Sequence, residues 1–444
     1  MRMFEIDSAH ALGLGSRKVK NIILMISDGC GYNHIEATDY YEAGRKKAQA
    51  YEHFPVRLGM STYEYELVDG AYKLLGYDPR RAWSEFEYVK ENATDSASAA
   101  TAMSTSFKTK NGAIGVDVTD RPLSHLAQRA EELGMATGVI TSVEWSHATP
   151  AGFVAHNPSR NNYEQIASEM INNSATDVIM GCGHPWFDDN GRPKASPGYK
   201  YVGGQATWDA LVAGTAGKAV DADHNGIMDD AWKLIQDRAE FQVLASGPTP
   251  KRVCGTAKAY TTLQQGRSGD GNAAPYIVPL TQSVPTLEEM TKGALNVLDN
   301  DRDGFFLMIE GGAVDWASHA NQSGRMIEEE MDFNHAVDAV IDWVRRNSNW
   351  AETLLVVTGD HECGYLCGPG SAAAGRIQPV VNNGRGALPG MEWNSDEHTN
   401  ALIPLYVKGW ASIHFYRYAN EFDPVRGLYI DNAELGKLLF GLLR

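Results

Sequence analysis

Short apolar runs alternate with amphipathic stretches along much of the chain. Six runs of aliphatic and β-branched residues have the length and composition of buried strands: residues 21–26, 138–141, 178–180, 305–309, 354–357 and 405–407. Residues 123–133, 287–298 and 326–344 instead repeat apolar positions at about the helical period of 3.6 residues. This alternation predicts an α/β fold, a three-layer α/β/α sandwich around a large and mostly parallel central sheet.

Three stretches interrupt the alternation. Residues 40–92 are rich in Tyr and Glu, residues 185–285 in Gly, Pro, Asp and Gln, and residues 367–397 in Gly, Ala and Pro. Because strand-like runs resume after each stretch, we predict one domain over residues 20–444, with these stretches inserted as a cap or crown. Residues 1–19 are an N-terminal arm in this interpretation. Insertions of this kind favour interfaces and substrate lids.

The charge balance narrows the classes of function. The 444 residues include 39 Lys and Arg against 56 Asp and Glu, which gives a net charge of −17. Nucleic-acid readout needs a basic face, so this balance argues against it.

The longest apolar runs are far shorter than the roughly 20 residues of a membrane span. Residues 1–10 lack the features of a secretory signal, so we expect either a cytoplasmic protein or one whose signal has been removed.

The cysteines do not form a disulfide framework. The chain has five of them, an odd number without a CxxC pair, at Cys30, Cys182, Cys254, Cys363 and Cys367. At most Cys363 and Cys367 could form a bridge. The composition favours small buried thiols at both positions instead.

Carboxylates follow three of the predicted strands. Asp28 comes just after the run 21–26, Glu310 ends the run 305–309, and Asp360 with His361 follows the run 354–357. One such acid is typical of a turn or a helix cap. Ligands of α/β sheets bind beyond the carboxyl ends of the strands, and three acids meeting there would repel one another unless cations compensated them. The pattern therefore indicates a metal site.

A second set of possible metal ligands lies further along the chain. Asp315 and His319 have the i,i+4 spacing that places two side chains on one face of a helix. Such a pair is commonly just solvated, but here it follows Glu310 closely. His398 could supply another nitrogen, although a loop His alone is weak evidence.

The segment 92–102 suggests a nucleophile. Thr94 or Asp95 can cap a helix of small residues, which would place Ser96 in the first turn, where free N–H groups favour anions. An Ala-rich helix packed against a neighbour would explain the same composition without such a role. Arg160 has the planar fork that suits a tetrahedral oxyanion, yet a loop Arg commonly faces solvent.

Taken together, these residues lie in blocks that resemble the metal-dependent alkaline phosphatases of bacteria. The blocks keep the family's order from about residue 20 to the C-terminus. They are NIILMISDG (21–29), TDSASAATA (94–102), KTKNGAIGV (108–116), HATP (147–150), FFLMIEG (305–311), DWASHAN (315–321), TGDHE (358–362) and EHT (397–399).

The resemblance implies two zinc sites and one magnesium site. The implied ligands are Asp315, His319 and His398 for one zinc, Asp28, Asp360 and His361 for the other, and Asp28, Thr149 and Glu310 for magnesium. The residue types agree with this division, because nitrogen-containing sets suit zinc and all-oxygen sets suit magnesium.

The resemblance also implies a reaction. Ser96 would be the nucleophile that forms a covalent phosphoserine, and Arg160 would hold the phosphoryl group. The expected activity is hydrolysis of phosphate monoesters to an alcohol and inorganic phosphate, with an alkaline pH optimum and product inhibition by phosphate. A homodimer and a periplasmic or secreted location are implied as well, and the acidic balance fits such a location.

Two positions that vary among members of the family are His147 and Trp316. Some members carry Asp and Lys there, and His with Trp resembles some marine and cold-adapted bacterial members. A His is a poorer outer partner for hydrated magnesium than a carboxylate. Trp316 cannot supply the charge of a Lys, so we expect weaker phosphate retention than in Lys-bearing relatives.

Two segments resemble calcium loops. Residues 299–310 fit the EF-hand pattern, but we reject that assignment because residues 305–309 are predicted to form a buried strand. A second acidic loop has Trp232 in place of the final Glu, so a plain acidic turn is the simpler explanation. Its candidate ligands for a structural calcium are Asp221, Asp223, Asn225 and Asp229.

Other functions remain open. A phosphodiesterase of the same superfamily usually has a Thr nucleophile and lacks this Arg. A sulfatase would need a Cys/Ser-x-Pro-x-Arg signature, which the sequence after Ser96 lacks. A non-catalytic metal- or phosphate-binding protein would need a lost nucleophile or ligand, and each implied residue is present.

Overall fold

Eleven strands form one sheet through the middle of the molecule. The structure is a computed structural model that describes residues 18–222 and 225–443. In chain order the strands are β1 (Asn21–Ser27), β2 (Val56–Ser61), β3 (Ala136–Glu144), β4 (Val178–Cys182), β5 (Lys233–Ile235), β6 (Val253–Thr256), β7 (Phe305–Gly311), β8 (Thr353–Gly359), β9 (Ile403–Lys408), β10 (Glu421–Asp423) and β11 (Gly427–Asp431).

The sheet is mostly parallel. Its spatial order is β10-β11-β2-β9-β8-β1-β7-β3-β4-β6-β5, and only β9 and β10 run against the other nine strands. Strand β1 lies centrally between β7 and β8. Nine strands therefore end at one edge, where the side chains that follow them can meet.

Helices cover both faces of the sheet. They are α1 (Tyr32–Ala43), α2 (Arg81–Ser84), α3 (Ser96–Thr105), α4 (Leu126–Glu132), α5 (Ala148–Ala151), α6 (Tyr163–Asn172), α7 (Gly204–Ala213), α8 (Arg238–Leu244), α9 (Leu287–Leu298), α10 (Ala313–His319), α11 (Ser323–Asn347), α12 (Ser371–Ala374) and α13 (Asn432–Leu442). Short 3-10 turns occupy Ala50–His53, Tyr88–Lys90, Lys200–Val202 and Trp410–Arg417. Small two-stranded ribbons pair Tyr65–Val68 with Ala71–Leu74, Glu362–Cys363 with His398–Thr399, and Leu366–Cys367 with Glu392–Trp393.

Each face of the sheet has its own hydrophobic core. Alternate residues of β1 point to opposite faces, so Ile22 and Leu24 pack with α3, α4, α6 and α13, while Ile23 and Met25 pack with α1, α9, α10 and α11. This confirms the predicted three-layer α/β/α sandwich. The six predicted strands all lie in the sheet, and the predicted helices 123–133, 287–298 and 326–344 correspond to α4, α9 and α11.

The interrupting stretches contribute more to the sheet than the sequence indicated. Residues 40–92 include β2, which pairs with β9 and β11 inside the sheet. Residues 185–285 include the edge strand β5 and its neighbour β6. These strands are short or carry polar and glycine residues, so no continuous apolar run marks them. Of the predicted N-terminal arm, residues 1–17 lie outside the described residues.

Two further sequence expectations have an outcome here. The five cysteines are free and buried, as expected for small apolar side chains. Among the described residues, no helix combines the length and apolar character needed to span a membrane.

Candidate metal centre

The register of the central strands brings the predicted acids together. Ile26 of β1 lies opposite Glu310 of β7, and Ser27 lies opposite Gly359 of β8. Asp28 follows Ser27 directly, and Asp360 follows Gly359. The carboxylates of Asp28, Glu310 and Asp360 therefore meet at one edge of the sheet, where all three are buried.

Asp28, Asp360 and His361 form one compact group of possible metal ligands, with donor atoms within 4.8 Å of one another. The His361 Nε2 atom lies 3.5 Å from Asp28 Oδ1 and 3.2 Å from Asp360 Oδ2. Both carboxylate oxygens of Asp28 are buried and accept no hydrogen bond from any residue in the described part of the chain. A buried carboxylate in this condition is costly without a counter-charge, so the group fits a bound cation.

Asp315, His319 and His398 form a second group, which also includes Cys363. The pair Asp315 and His319 lies on α10, as the i,i+4 spacing predicted. The Nε2 atoms of His319 and His398 are 3.0 Å apart, and Asp315 oxygens lie 3.5 and 3.3 Å from them. Two imidazole nitrogens converging on one carboxylate form a donor set that suits zinc.

Backbone carbonyls orient both imidazoles of the second group. The Nδ1 atom of His319 lies 2.5 Å from the carbonyl oxygen of Asp396, and Nδ1 of His398 lies 2.8 Å from that of Thr94. An Nδ1–H that donates to a carbonyl leaves the Nε2 lone pair free. The rings are thus held with Nε2 ready to bind a metal.

A third group joins Asp28 and Glu310 to His147. Glu310 Oε2 accepts a hydrogen bond from the hydroxyl of Thr141, and the fully buried Thr149 lies on α5, which His147 caps. The structure thus places the imidazole of His147 beside these two carboxylates, and its role as an outer partner of magnesium stays a prediction. The carboxylate and hydroxyl oxygens here suit magnesium.

Burial and mutual repulsion perturb the acids of the centre. Burial, with Asp360 and Asp315 nearby, raises the pKa of Asp28 well above its usual range. Burial also raises the pKa of Glu310 to about 7, and burial together with Asp315 raises that of Asp360 to about 6. Bound divalent cations would reverse these shifts by stabilising the ionised carboxylates.

The charge of Asp315 has the opposite effect on the pKa of His398, its neighbour. Burial disfavours the charged form of His398, but the carboxylate of Asp315 outweighs it and raises the pKa of His398 to about 9. Burial likewise opposes ionisation of Asp315, yet His398 and His319 hold its pKa well below the usual range. The second group is therefore an ion-paired cluster. A metal ion bound there would displace the proton of His398 and supply the positive charge in its place.

Ser96 is the first residue of α3, as predicted. Asp95 is the N-cap, and its side chain accepts a hydrogen bond from the backbone N–H of Ser98. The hydroxyl of Ser96 is 3.3 Å from Nε2 of His361, and the residue is almost fully buried. The hydroxyl thus lies at the positive end of a helix and beside a possible metal ligand.

Arg160 is held from two sides. Its Nη1 atom pairs with Asp95 Oδ2 at 2.9 Å, and its Nη2 lies 3.1 Å from Nε2 of His147. Burial and the charge of Arg160 lower the pKa of His147 to about 3, so this imidazole is neutral and accepts from the guanidinium. Trp316 packs its ring edge against His147, with centroids 5.7 Å apart.

These side chains open into one cavity of about 320 Å³. Its lining residues are Ser96, His147, Arg160, Gln265, Asp315, Trp316, His319 and His398. The predicted nucleophile, the predicted arginine and three predicted metal ligands therefore face the same space. The remaining predicted ligands, Asp28, Thr149, Glu310, Asp360 and His361, are buried behind it.

Three residues of the centre escaped the sequence analysis. The sequence analysis predicts Cys363 only as a small buried apolar residue. Its position two residues after His361, next to a block of ligand residues, is a signal that it lies near the metal centre. Thr141 ends a predicted strand, and a polar residue at the carboxyl end of a strand is a candidate for the site; in the structure it lies opposite Glu310. Gln265 comes from the irregular stretch 185–285, and no local signal marks it.

The candidate calcium loop is a turn stabilised by its own backbone. The carboxylate of Asp221 accepts hydrogen bonds from the N–H groups of Asn225 and Gly226, at 2.8 and 2.9 Å. Asn225 and Asp229 are exposed, and Asp223 lies outside the described residues. Calcium binding here stays a prediction. The rejected EF-hand assignment agrees with the structure, since Glu310 lies inside β7.

The blocks that carry the centre match known proteins. A family model of alkaline phosphatase matches residues 19–401. Alkaline phosphatase 3 of Bacillus subtilis (strain 168) is 32% identical over 356 residues, which are 78% of this chain and 62% of that protein, so the chain spans less than two thirds of its length. Alkaline phosphatase of Escherichia coli (strain K12) is 29% identical over 426 residues, 89% of this chain and 82% of that protein.

Solved structures agree on the fold. The cold-active alkaline phosphatase of the psychrophile Shewanella sp. superposes with a TM-score of 0.65 at 25% identity, over 96% of this chain and 100% of that one. The alkaline phosphatase of the Antarctic bacterium TAB5 gives 0.63 at 22% identity, over 96% and 98% of the two chains. A His-to-Asp variant of the TAB5 protein has magnesium bound in its M3 site. On the family match, the chain belongs to the alkaline phosphatase family.

Proposed function

We propose that the chain hydrolyses phosphate monoesters through a covalent phosphoserine on Ser96. The observation that carries this proposal is the convergence of Ser96, Arg160 and the ligands Asp315, His319 and His398 on one cavity. A nucleophile, a phosphate-binding cation and metal-binding side chains are the parts that phosphoryl transfer needs. The family match supports the same assignment.

The donor sets fit two zinc ions and one magnesium ion. The proposed ligands are Asp315, His319 and His398 for one zinc, Asp28, Asp360 and His361 for the other, and Asp28, Thr149 and Glu310 for magnesium. The buried, unpartnered oxygens of Asp28 support a site shared by two cations. When bound, these ions supply Lewis-acid charge for the serine alkoxide, the departing alkoxide and the phosphoryl oxygens.

In the first step, the oxygen of Ser96 attacks phosphorus in line with the bond to the leaving alcohol. Ser96 loses its proton to solvent, a bond forms between its Oγ and phosphorus, and the bond from phosphorus to the alcohol oxygen breaks. The departing alkoxide takes a proton from solvent and leaves as the alcohol. The N-terminus of α3 favours the alkoxide form of Ser96, because its free N–H groups carry partial positive charge. The hydroxyl lies 3.3 Å from Nε2 of His361, so it is next to the zinc site proposed for that residue.

Arg160 holds the equatorial oxygens of the phosphoryl group. Its pairing with Asp95 fixes the guanidinium plane, and the neutral His147 accepts from the second nitrogen without competing charge. A planar donor fork held in this way is preorganised for a trigonal phosphoryl group.

In the second step, water attacks phosphorus from the side of the departed alcohol. A bond forms between the water oxygen and phosphorus, the bond between Ser96 Oγ and phosphorus breaks, and Ser96 regains a proton from the attacking water or from solvent as inorganic phosphate is released. Phosphate formed here contacts the same groups as the substrate, so it should inhibit as a product. Activity should rise toward alkaline pH, because the attacking water reacts as its conjugate base.

We further propose a homodimer that works in the periplasm or outside the cell. The net charge of −17 supports a solvent-facing role in such a compartment. Sedimentation of the purified protein and fractionation of expressing cells test the two statements separately.

The activity test compares two substrates. Wild type and Ser96→Ala, loaded with zinc and magnesium, are assayed from pH 6 to 11 with p-nitrophenyl phosphate and with the bis(p-nitrophenyl) diester, alongside metal analysis. We expect monoester preference, an alkaline optimum, bound zinc and a loss of at least about 10³-fold in Ser96→Ala. Diester preference would favour the phosphodiesterase alternative. Absence of turnover in zinc-loaded wild type would favour a non-catalytic metal- or phosphate-binding protein.

A further inference from the structure

The block KTKNGAIGV (108–116) has no part in the chemistry proposed above, although it lies next to it. Its residues 111–115, here called the clamp segment, run between the N-terminus of α3 and the loop that carries Arg160. Hydrogen bonds join the segment to both neighbours, as the following contacts show.

Asn111 holds the N-cap of α3. Its Oδ1 atom accepts a hydrogen bond from the backbone N–H of Asp95 at 2.7 Å and another from the hydroxyl of Ser98 at 2.9 Å. Its Nδ2 atom donates to the carbonyl of Ala93 at 3.2 Å. One exposed side chain thus fixes the backbone on both sides of Thr94, immediately before Ser96.

Gly112 joins the same N-cap to Arg160. Its backbone N–H donates to Asp95 Oδ2 at 3.0 Å, the oxygen that also pairs with Arg160. Its carbonyl accepts from the backbone N–H of Arg160 at 2.7 Å. The φ of Gly112 is +83°, a left-handed conformation that favours glycine.

The rest of the clamp segment is docked on both sides as well. The hydroxyl of Thr101, inside α3, donates to the carbonyl of Ala113 at 2.9 Å and accepts from the N–H of Gly115 at 2.9 Å. Ile114 exchanges two backbone hydrogen bonds with Asn157, three residues before Arg160. The segment therefore connects α3 and the Arg160 loop as one rigid unit.

We infer that Asn111 and Gly112 are positioning residues that fix the Ser96 hydroxyl and the Arg160 guanidinium relative to each other. Asn111 fixes the backbone of Asp95, which precedes Ser96 and carries the carboxylate that pairs with Arg160. Gly112 contacts that carboxylate directly through its backbone N–H. The inference rests on the proposed function, since it assigns the purpose of this geometry to phosphoryl transfer. Small displacements of preorganised groups weaken phosphoryl binding and slow its transfer.

The test is a double-mutant cycle on protein loaded with zinc and magnesium. Asn111→Ala, Arg160→Ala and the double variant are compared with wild type for the Kd of inorganic phosphate, by titration calorimetry, and for kcat on p-nitrophenyl phosphate. Asn349→Ala is the matched control, because Asn349 is also an exposed loop residue whose side chain accepts a backbone N–H, far from the site. Thermal unfolding checks that each variant is folded.

We expect Asn111→Ala to raise the Kd of inorganic phosphate roughly 10-fold when Arg160 is present, but less than about 2-fold in the Arg160→Ala background. The reason is that Asn111 affects phosphate binding by positioning Arg160. Asn111→Ala should also lower kcat, and it should do so in both backgrounds because this change results from displacement of Ser96. An equal change of Kd in both backgrounds, or no change in wild type, overturns the inference. The calorimetry needs no turnover, so wild type that binds inorganic phosphate but does not hydrolyse p-nitrophenyl phosphate would overturn only the proposed function.

Discussion

The sulfur of Cys363 lies among the donor atoms of Asp315, His319 and His398. Burial and the neighbouring Asp315 raise the pKa of this thiol, which favours the S–H form in the metal-free protein. A protonated thiol beside a carboxylate supports that carboxylate instead of binding a metal itself. At the residue scale, we therefore expect Cys363 to stabilise Asp315 without ligating the metal.

Cobalt substitution tests this expectation. A thiolate bound to Co²⁺ produces intense charge-transfer absorption in the near ultraviolet, whereas nitrogen and oxygen ligands do not. We expect wild type and Cys363→Ser, both loaded with Co²⁺, to show the same spectrum in this region. A band in wild type that disappears in Cys363→Ser would instead make Cys363 a ligand.

Trp316 is the second residue whose effect can be measured directly. It lines the cavity beside Arg160 but carries no charge. Trp316→Lys should lower the inhibition constant of inorganic phosphate roughly five-fold, because one more cation on the wall of the cavity contributes about 1 kcal/mol of attraction for the phosphate. Trp316→Gln controls for loss of the ring. Equal inhibition of wild type and Trp316→Lys by phosphate would contradict this account of weak phosphate retention.

At the scale of elements, α4 begins on an unusual N-cap. His125 accepts the backbone N–H of Gln128 through Nδ1 at 3.3 Å, and it is buried against His156. Burial, and then the charge of His156, lower the pKa of His125 to about 3. Between about pH 6.5 and pH 3 the unfolded chain binds a proton here that the folded protein does not, so stability is lost as the pH falls through this range.

His125→Asn keeps a good N-cap acceptor and removes this proton linkage. Relative to wild type, the variant should gain about 2 kcal/mol of unfolding free energy at pH 5 compared with pH 8. Urea unfolding at both pH values measures this difference. His335→Asn, at an exposed position, is the control and should show no such gain. The same stability difference between wild type and His125→Asn at both pH values would refute the linkage.

The elements also show which parts of the fold a sequence can predict. Strands β1, β7 and β8 are continuous apolar runs because both faces of the sheet are covered, and the acids after them were found for that reason. Strands β2, β5 and β6 carry polar or glycine residues, so their place in the sheet depends on pairing partners far along the chain. Gln265 reaches the centre through such long-range contacts, which local patterns do not encode.

At the scale of the whole molecule, an ion pair with α11 holds the segment that brings Gln265 to the cavity. The buried guanidinium of Arg267 pairs with Glu328 of α11 at 2.6 Å and donates to the carbonyls of Gln264, Val278 and Pro279. The ion pair and the three hydrogen bonds to carbonyls hold the segment in one position. Gln265, from the stretch 185–285, therefore contributes to one wall of the cavity, while the predicted reacting groups come from the edge of the sheet.

The central claim is that Ser96 carries the phosphoryl group during turnover. The most direct measurement is an acid quench of the zinc- and magnesium-loaded protein during hydrolysis of p-nitrophenyl phosphate, followed by peptide mass spectrometry. The account predicts one phosphate on the peptide that contains Ser96, and none in Ser96→Ala, which should also have lost turnover. Steady turnover by Ser96→Ala at the wild-type rate, or phosphate trapped on another residue, would contradict it.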